Sequence, residues 1–400
     1  MAGLKNFLEK QSEKFGKDGK YPLFYPVFEM IDTFLYTPSD VTDGNIHIRD
    51  KIDLKRIMSI VVIALLPCVF MALLNTGYQA NVAVENLAGY PEGWRFAAMR
   101  LFDIPVNSSS FFSNIFLGAL YFLPLYIMTL VVGGFWEVLF AVVRKHEIAE
   151  AFLVTSLLYP LILPPAVPLW QAGVALSLGI VLGKEIFGGT GRNIVNPALI
   201  ARAMLFFSYP ASMSGDDVWV AVDGVTKATP LSYVSSSGVS GMGYSLWDTF
   251  IGFVPGSMGE TSALACLIGA FILIITGIAS WRIMLSMTVG MLLMTGVFYL
   301  TGSDTNPMFQ MSPVWHFVSG GFAFGMVFMA TDPVSSAMTE TGKFVYGFLI
   351  GILTALIRIV NPAFSEGVML AIIFGNIFAP IIDNFVINAN IKRRMQRDEA

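Results

Sequence analysis

The chain has 400 residues, of which 55% are hydrophobic and only 13% charged, and its formal net charge is −4. Soluble domains carry about a quarter charged residues, so this composition excludes a water-exposed surface of ordinary size and indicates a membrane protein. The small net charge gives no reason to expect a nucleic-acid partner. Cys68 and Cys266 lie in separate apolar runs. Their spacing excludes an iron–sulfur cluster or structural zinc site built by this chain alone, and we expect two buried thiols.

Residues 1–56 are predicted to form a cytoplasmic, amphipathic N-terminal segment. The first residues are charged throughout and contain no signal-peptide core. An aromatic-rich run follows at residues 21–38. Two interpretations stay open for it: a surface segment that folds over a membrane-level pocket for an apolar ligand, or an interfacial anchor without a ligand.

Apolar runs that fit the thickness of a bilayer dominate the rest of the chain. They predict an all-α polytopic membrane protein with about ten transmembrane helices, near residues 57–75, 113–133, 150–163, 167–185, 195–208, 262–280, 283–301, 315–331, 344–361 and 367–384. Prolines and glycines interrupt several of these runs. Interruptions at membrane depth require the freed backbone to be buried in protein or to line a polar cavity.

The positions of Lys and Arg predict the orientation. Basic residues precede the first span, follow the even-numbered spans and fill the tail at 385–400, so we expect both termini in the cytoplasm. Residues 209–261 then form a periplasmic loop between a first membrane half, 57–208, and a second, 262–384. Val-Asn-Pro-Ala occurs at 195–198 and again at 360–363. We interpret this echo as two five-helix inverted-repeat halves with sites at their interface, coincidence being the alternative.

The loop contains the run Asp-Gly-Val-Thr-Lys-Ala-Thr at residues 223–229. It resembles the flavinylation motif of the Na+-translocating NADH:quinone oxidoreductase family, and this resemblance implies FMN joined through its phosphate to Thr229. Ala228 is small enough to let the segment enter the cleft of a flavin transferase, and Asp223 suits contact with that enzyme or its metal. Lys227 departs from the family pattern, in which a small residue is usual. An ordinary polar turn is the alternative interpretation.

The resemblance extends over essentially the whole chain to the membrane subunits of that family. The stretches that carry it are residues 47–58, 132–140, 184–193, 255–260, 302–306 and 320–335. It implies a bacterial inner-membrane subunit of a multi-subunit complex, with ubiquinone as substrate and Na+ as the transported ion. No Gly-x-Gly-x-x-Gly opens a βαβ unit. NADH, FAD and iron–sulfur centres are therefore expected in partner subunits, next to further membrane subunits.

A second flavin, non-covalent riboflavin, is also implied by the family. The glycine-rich stretch 187–193 lacks the Lys-Ser/Thr of a phosphate-binding P-loop. On this resemblance we assign riboflavin to Asn193, Asn196 and Pro197, since the asparagine amides suit hydrogen bonds to ring edges. A glycine-rich helix break without a ligand is the competing interpretation.

The resemblance also suggests a quinone site and an ion route. Gly133, Gly134 and Phe152 match positions near the quinone head group, where a glycine pair lets a flat ring approach the backbone. Charges inside membrane spans need a partner or a function. On the resemblance, Glu137, Asp332 and Asp383 belong to a Na+ pathway, near-interface acids that snorkel being the alternative. Four other charges are expected in structural ion pairs, namely Lys184, Glu185, Arg202 and Arg358.

The predicted function is that of a membrane subunit of a Na+-translocating NADH:ubiquinone reductase. The resemblance implies that it transfers electrons through covalent FMN and riboflavin to ubiquinone, coupled to outward Na+ transport. The three histidines show no metal-binding spacing, so haem and zinc are not expected. Two alternatives remain: the related ferredoxin:NAD ion-pumping complex, whose subunit looks shorter at its N-terminus, and a non-redox channel or transporter, which has no use for the 223–229 motif.

Overall fold

The computed structural model describes residues 54–87, 91–144, 151–220, 222, 225–239, 242–361 and 366–398, with scattered positions between 10 and 28. The part of the chain that it describes is all-helical. The amphipathic segment predicted over residues 1–56 lies almost wholly outside the described residues. Asp223 also lies outside them.

The first half and the loop contain eight α-helices in the described ranges. They are α1 (Leu54–Glu85), α2 (Trp94–Leu101), α3 (Phe111–Arg144), α4 (Ala151–Leu161), α5 (Leu169–Ile180), α6 (Pro197–Ser208), α7 (Pro230–Ser237) and α8 (Leu246–Ile251). The second half adds α9 (Ala263–Ile275), α10 (Trp281–Thr301), α11 (Pro313–Val318), α12 (Phe322–Phe324), α13 (Glu340–Val360) and α14 (Val368–Asp398). Helix α5 continues through a π-helical turn, Val181–Glu185, and α12 through another, Gly325–Met329.

Helices occupy each of the ten predicted spans. Five are long and apolar enough to cross a membrane, namely α1, α3, α10, α13 and α14, and α4, α6 and α9 are shorter apolar helices. The prediction of an all-α polytopic membrane protein is confirmed. The short helices lie where the sequence is interrupted: α4 stops before the Pro164–Pro165 pair, and α11 and α12 are separated at residues 319–321, where Gly320 has φ +63°.

Close backbone contact at glycines joins the long helices. A Cβ on Gly77 of α1 would overlap the Asn114 carbonyl of α3, and one on Gly118 of α3 would overlap the Leu73 carbonyl of α1. Helices α10 and α13 meet in the same way, with Gly351 against the Met287 carbonyl. Small residues at such contacts increase van der Waals packing, which drives helix association in lipid.

The two halves meet along their first helices. Helix α1 packs on α9, and the pairs α5–α6 and α13–α14 pack similarly within the two halves. The α1–α9 contact brings Sγ of Cys68 to 3.8 Å from Sγ of Cys266, and both thiols are buried as expected. The second Val-Asn-Pro-Ala copy lies partly outside the described residues. Helix α14 continues to Asp398, so the predicted start of the tail at residue 385 falls inside a helix.

The loop between the halves packs back onto both of them. Val220 and Val222 join an apolar cluster with side chains of α1, α2 and α3. Further along, the amides of Gly259 and Met258 donate to the carbonyls of Leu161 and Leu163, at 2.7 and 3.1 Å. These carbonyls lie at the end of the broken helix α4, where the helix itself provides no donors. The loop therefore supplies the hydrogen-bond donors that are missing at the break after α4, and these bonds hold the loop residues in place between the two halves.

Candidate functional site

Thr229 is the N-cap residue of α7. Its Oγ1 accepts a hydrogen bond from the Ser232 amide at 3.2 Å, and Pro230 occupies the first helical position. Unpaired amides and the helix dipole make such a terminus favourable for an anion. Thr229 is only 3% exposed, whereas Thr226, the other hydroxyl of the motif, is exposed. The predicted acceptor is thus the buried hydroxyl of the pair.

A cavity of about 980 Å³ opens beside Thr229, and we call it the threonine cavity. Its wall combines apolar and aromatic side chains with a few polar groups, among them Phe206, Trp219, Arg202, Ser232 and Glu366. Concave sites with apolar and aromatic walls and a few polar groups are where cofactors commonly bind. A smaller cavity of about 280 Å³ also touches Thr229 and contains Glu260 and Thr261. Among the described residues, the buried Oγ1 of Thr261 has no hydrogen-bond partner, so this space offers an unused polar group.

The segment before Thr229 is held by its atypical lysine. The amide of Lys227 donates to the Asp216 carbonyl at 2.8 Å, and its Nζ donates to Oε1 of Gln79 on α1 at 3.3 Å. Partial burial lowers the pKa of Lys227, because desolvation disfavours the charged amine. Ala228 is half-buried between Lys227 and Thr229. The lysine therefore ties the motif to the first half of the molecule.

Arg202 is the centre of a buried charge network at the wall of the threonine cavity. Its Nη1 donates to Oε1 of Glu260 at 2.8 Å and its Nη2 to Oε2 of Glu366 at 3.0 Å. The expectation of an ion pair for Arg202 is confirmed. The same expectation is not met for Arg358. Its Nη1 and Nη2 donate instead to the backbone carbonyls of His316 and Ser319, at 2.6 and 3.2 Å. These carbonyls lie at the end of α11, where a cation is favourable.

Sequence reasoning missed Glu260 and Glu366 as partners in this network. Glu260 ends the stretch 255–260, which carries part of the family resemblance. The available signal was that a buried arginine needs acidic partners. The two acids that pair with it lie 58 and 164 residues further along the chain. Only the tertiary fold shows which acids they are.

A second cavity, of about 730 Å³, lies between the halves, and we call it the asparagine cavity. Asn193, Asn196 and Pro197 all line it, together with Lys184 and Asp332. Nδ2 of Asn196 donates to Oδ2 of Asp332 at 3.0 Å, while its Oδ1 caps α6 at the Ala198 amide. The residues assigned to riboflavin and one residue assigned to the Na+ pathway therefore share one cavity.

Asp332 is held by neutral donors. Besides the Asn196 amide, the Val334 amide donates to its Oδ1 at 3.0 Å. The buried Oγ1 of Thr190 also lines this cavity and has no partner among the described residues. Ser335 is a further neutral neighbour of this carboxylate.

The other two acids assigned to the Na+ pathway have different surroundings. Glu137 of α3 forms a buried ion pair with Lys184, which also lies 3.9 Å from Glu185. Asp383 accepts from the amides of Met338 and Thr339, at 2.7 and 2.9 Å, and from Oγ1 of Thr339 at 2.5 Å. Lys184 connects Glu137 with the asparagine cavity, whereas Asp383 braces the start of α13.

The three residues assigned to quinone lie together. A Cβ on Gly133 would overlap the ring of Phe152, and one on Gly134 would lie 3.9 Å from Cε1 of that ring. The glycine pair does allow a flat aromatic ring to lie against the backbone, and in this structure the ring is that of Phe152.

Comparison with known proteins places the chain in a family. The model of the NQR2, RnfD, RnfE family matches residues 41–392, which cover both halves of the molecule. The chain belongs to this family. It is 56% identical to a subunit of the Na(+)-translocating NADH-quinone reductase of Chromohalobacter salexigens, over all of this chain and 97% of the relative. The subunits of the same name from Pseudomonas paraeruginosa and Azotobacter vinelandii are each 54% identical, over 99% of this chain and 100% and 99% of the relatives.

Proposed function

We propose that the chain is the membrane subunit of a Na+-translocating NADH:ubiquinone reductase in a bacterial inner membrane, with both termini in the cytoplasm. It carries electrons through covalent FMN and riboflavin to ubiquinone, coupled to outward Na+ transport. The names of its full-length relatives support this assignment. NADH, FAD and iron–sulfur centres belong to partner subunits, and a flavin transferase attaches the FMN.

The observation that carries the proposal is the position of Thr229 at a helix N-terminus in the wall of the threonine cavity. Arg202 and the α7 amides suit a phosphate, and Trp219 and Phe206 offer aromatic faces to a ring system. A flavin supplies electron-transfer chemistry when bound. The residues of this chain hold its phosphate, exclude water from it and keep it attached.

The asparagine cavity suits the second flavin, because riboflavin has no phosphate. Asn193 and Asn196 offer amides, Pro197 and neighbouring apolar side chains cover the ring, and Thr190 adds an unused hydroxyl. Asp332 offers hard oxygen atoms to Na+ next to these groups. The Glu137–Lys184 pair lies beside the cavity, and Asp383 extends the ion route on α14. Gly133, Gly134 and Phe152 form the quinone contact, one helical turn from Glu137 on α3.

The first experiment is a denaturing gel of the purified chain under ultraviolet light, from cells that contain the flavin transferase. Wild type and Thr226→Ala should fluoresce, and Thr229→Ala should be dark. Thr226 is the matched control, because it is the other hydroxyl of the same motif and is more accessible. A dark wild-type band, or a fluorescent Thr229→Ala band, would contradict the assignment of covalent FMN to Thr229.

Two other functions are less well supported. A non-redox channel has no use for a buried hydroxyl at a helix N-terminus beside an aromatic cavity. The ferredoxin:NAD complex remains the closer alternative, since its subunits belong to the same family. An NADH:ubiquinone reductase assay of the assembled complex, with ferredoxin-dependent NAD reduction as the second arm, distinguishes the two.

A further inference from the structure

Glu260 connects the two broken helices of the molecule. It ends the loop whose amides cap α4, and its carboxylate packs directly on Gly321, where α12 begins. A Cβ on Gly321 would lie only 2.8 Å from either carboxylate oxygen. Glu260 is 4% exposed, so neighbouring protein groups have more influence on its charge than bulk solvent has. A change in that charge therefore acts where both halves are interrupted.

Glu260 also faces the attachment site. The smaller cavity at Thr229 is also lined by Glu260, Thr261, Ser257 and Glu366. Thr261 presents its unpartnered hydroxyl to the same space. Negative charge brought to Thr229 therefore acts on Glu260 across this small space, and the low exposure of both residues strengthens the interaction relative to bulk water.

The charges around this space nearly cancel before any cofactor is attached. The charged and titratable groups that face Glu260 come from four elements: Arg202 on α6, Cys266 on α9, Arg358 on α13 and Glu366 before α14. Two arginines balance two carboxylates. A phosphodiester on Thr229 adds one negative charge, and each electron on the attached ring adds another. Buried charge without compensation is costly, so a compensating cation is required.

We propose that Glu260 is the charge-compensating group of the flavin site at Thr229, binding a proton when the flavin gains an electron and releasing it when the electron leaves. This inference rests on the proposed function. Glu366 is the less suitable acid, because its side chain is 19% exposed against 3% for Glu260, and water already stabilises its charge. Desolvation raises the pKa of Glu260 against the opposing effect of Arg202, which brings a proton within reach.

The step balances with groups that the proposed function supplies. One electron arrives from a reduced flavin or iron–sulfur group of a partner subunit, and one proton from water binds a carboxylate oxygen of Glu260. When the electron passes on, that proton returns to water. Glu260 is a positioning residue in this step, since it acts on the flavin through its charge.

A spectroelectrochemical titration of the covalently bound flavin, at several values between about pH 6 and 8, tests the proposal. In the wild-type complex the midpoint potential should fall as pH rises, because proton binding to Glu260 favours the reduced state. In Glu260→Gln the part of this pH dependence that Glu260 contributes should be lost. The midpoint potential should therefore fall less steeply as pH rises than it does in the wild type. Equal slopes in wild type and Glu260→Gln would overturn the proposal.

Two further variants control for structural damage. Glu366→Gln removes a carboxylate from the same arginine and should keep the wild-type slope. Glu260→Asp keeps a carboxylate, so the midpoint potential should still fall as pH rises, but over a shifted range of pH. A slope lost equally in Glu366→Gln would contradict a specific role for Glu260. Each preparation is first examined for in-gel fluorescence: a dark band overturns the proposed function as well, whereas a fluorescent band with unchanged slopes overturns only the role of Glu260.

Discussion

The threonine cavity and the asparagine cavity hold their charges in opposite ways. At the threonine cavity Arg202 is bonded to two carboxylates, so each buried charge there has a partner of opposite sign. At the asparagine cavity Asp332 is surrounded by neutral groups of Asn196, Val334 and Ser335, while the nearby Lys184 forms an ion pair with Glu137. The first arrangement suits a permanently attached anionic cofactor. The second suits an uncharged ring and a cation that comes and goes.

The largest effect is expected from removing the cation of the threonine cavity. Arg202→Met leaves Glu260 and Glu366 buried without their partner, and breaking a buried ion pair costs about 3–5 kcal/mol. Thermal unfolding of the purified complex should show a large loss of stability. Arg282→Met is the matched control, because Arg282 pairs with Glu340 at the surface, where such pairs contribute about 0–1 kcal/mol. Equal losses of stability in the two variants would show that the buried ion pairs of the threonine cavity contribute no more than a surface pair.

A substitution at the asparagine cavity should change the Na+ dependence of quinone reduction rather than the stability of the protein. Asp332→Asn keeps the shape of the side chain but removes its charge, so the Na+ concentration for half-maximal quinone reduction should rise about tenfold, or about 1.4 kcal/mol. The same change at Asp383 should have a smaller effect, because Asp332 lines the asparagine cavity and Asp383 is not among the described residues that line it. Unchanged Na+ activation in Asp332→Asn would remove Asp332 from the pathway.

The smallest effect concerns Lys227, which holds the motif beside the threonine cavity. Burial lowers the pKa of its amine in the folded state, so the folded protein loses this proton at lower pH than the unfolded chain. Its charged form therefore carries a penalty at neutral pH, which is relieved as pH rises from the folded pKa towards about 10.4. Relative to Lys227→Met, the wild-type chain should gain stability over that alkaline range, by denaturant unfolding at each pH. A difference between the two chains that is independent of pH would show that the amine is not desolvated.

Hydropathy and interruptions predicted the helices well, because both act locally along the chain. Each predicted span contains a helix, and the helices stop near the Pro164–Pro165 pair and at the glycines of 319–321. Site residues were predicted only where a motif carried them. The bond between Asn196 and Asp332 joins residues 136 positions apart, and no local pattern encodes such a contact.

The same limit explains the differences in the charged residues. In-span charges predicted that Arg202 and Arg358 need partners, since burial without one is unfavourable. They could not predict that Arg202 finds two carboxylates and Arg358 two carbonyls, because both solutions satisfy the same requirement. Which one forms depends on where the helix breaks bring backbone carbonyls to the interior.

Peptide-resolved mass spectrometry of the wild-type chain tests the central claim most directly. After proteolysis, the fragment that contains residues 225–239 should carry the added mass of FMN less one water, and fragmentation should place that mass on Thr229. A modification on the exposed Thr226, or an unmodified fragment from cells that contain the transferase, would contradict the account.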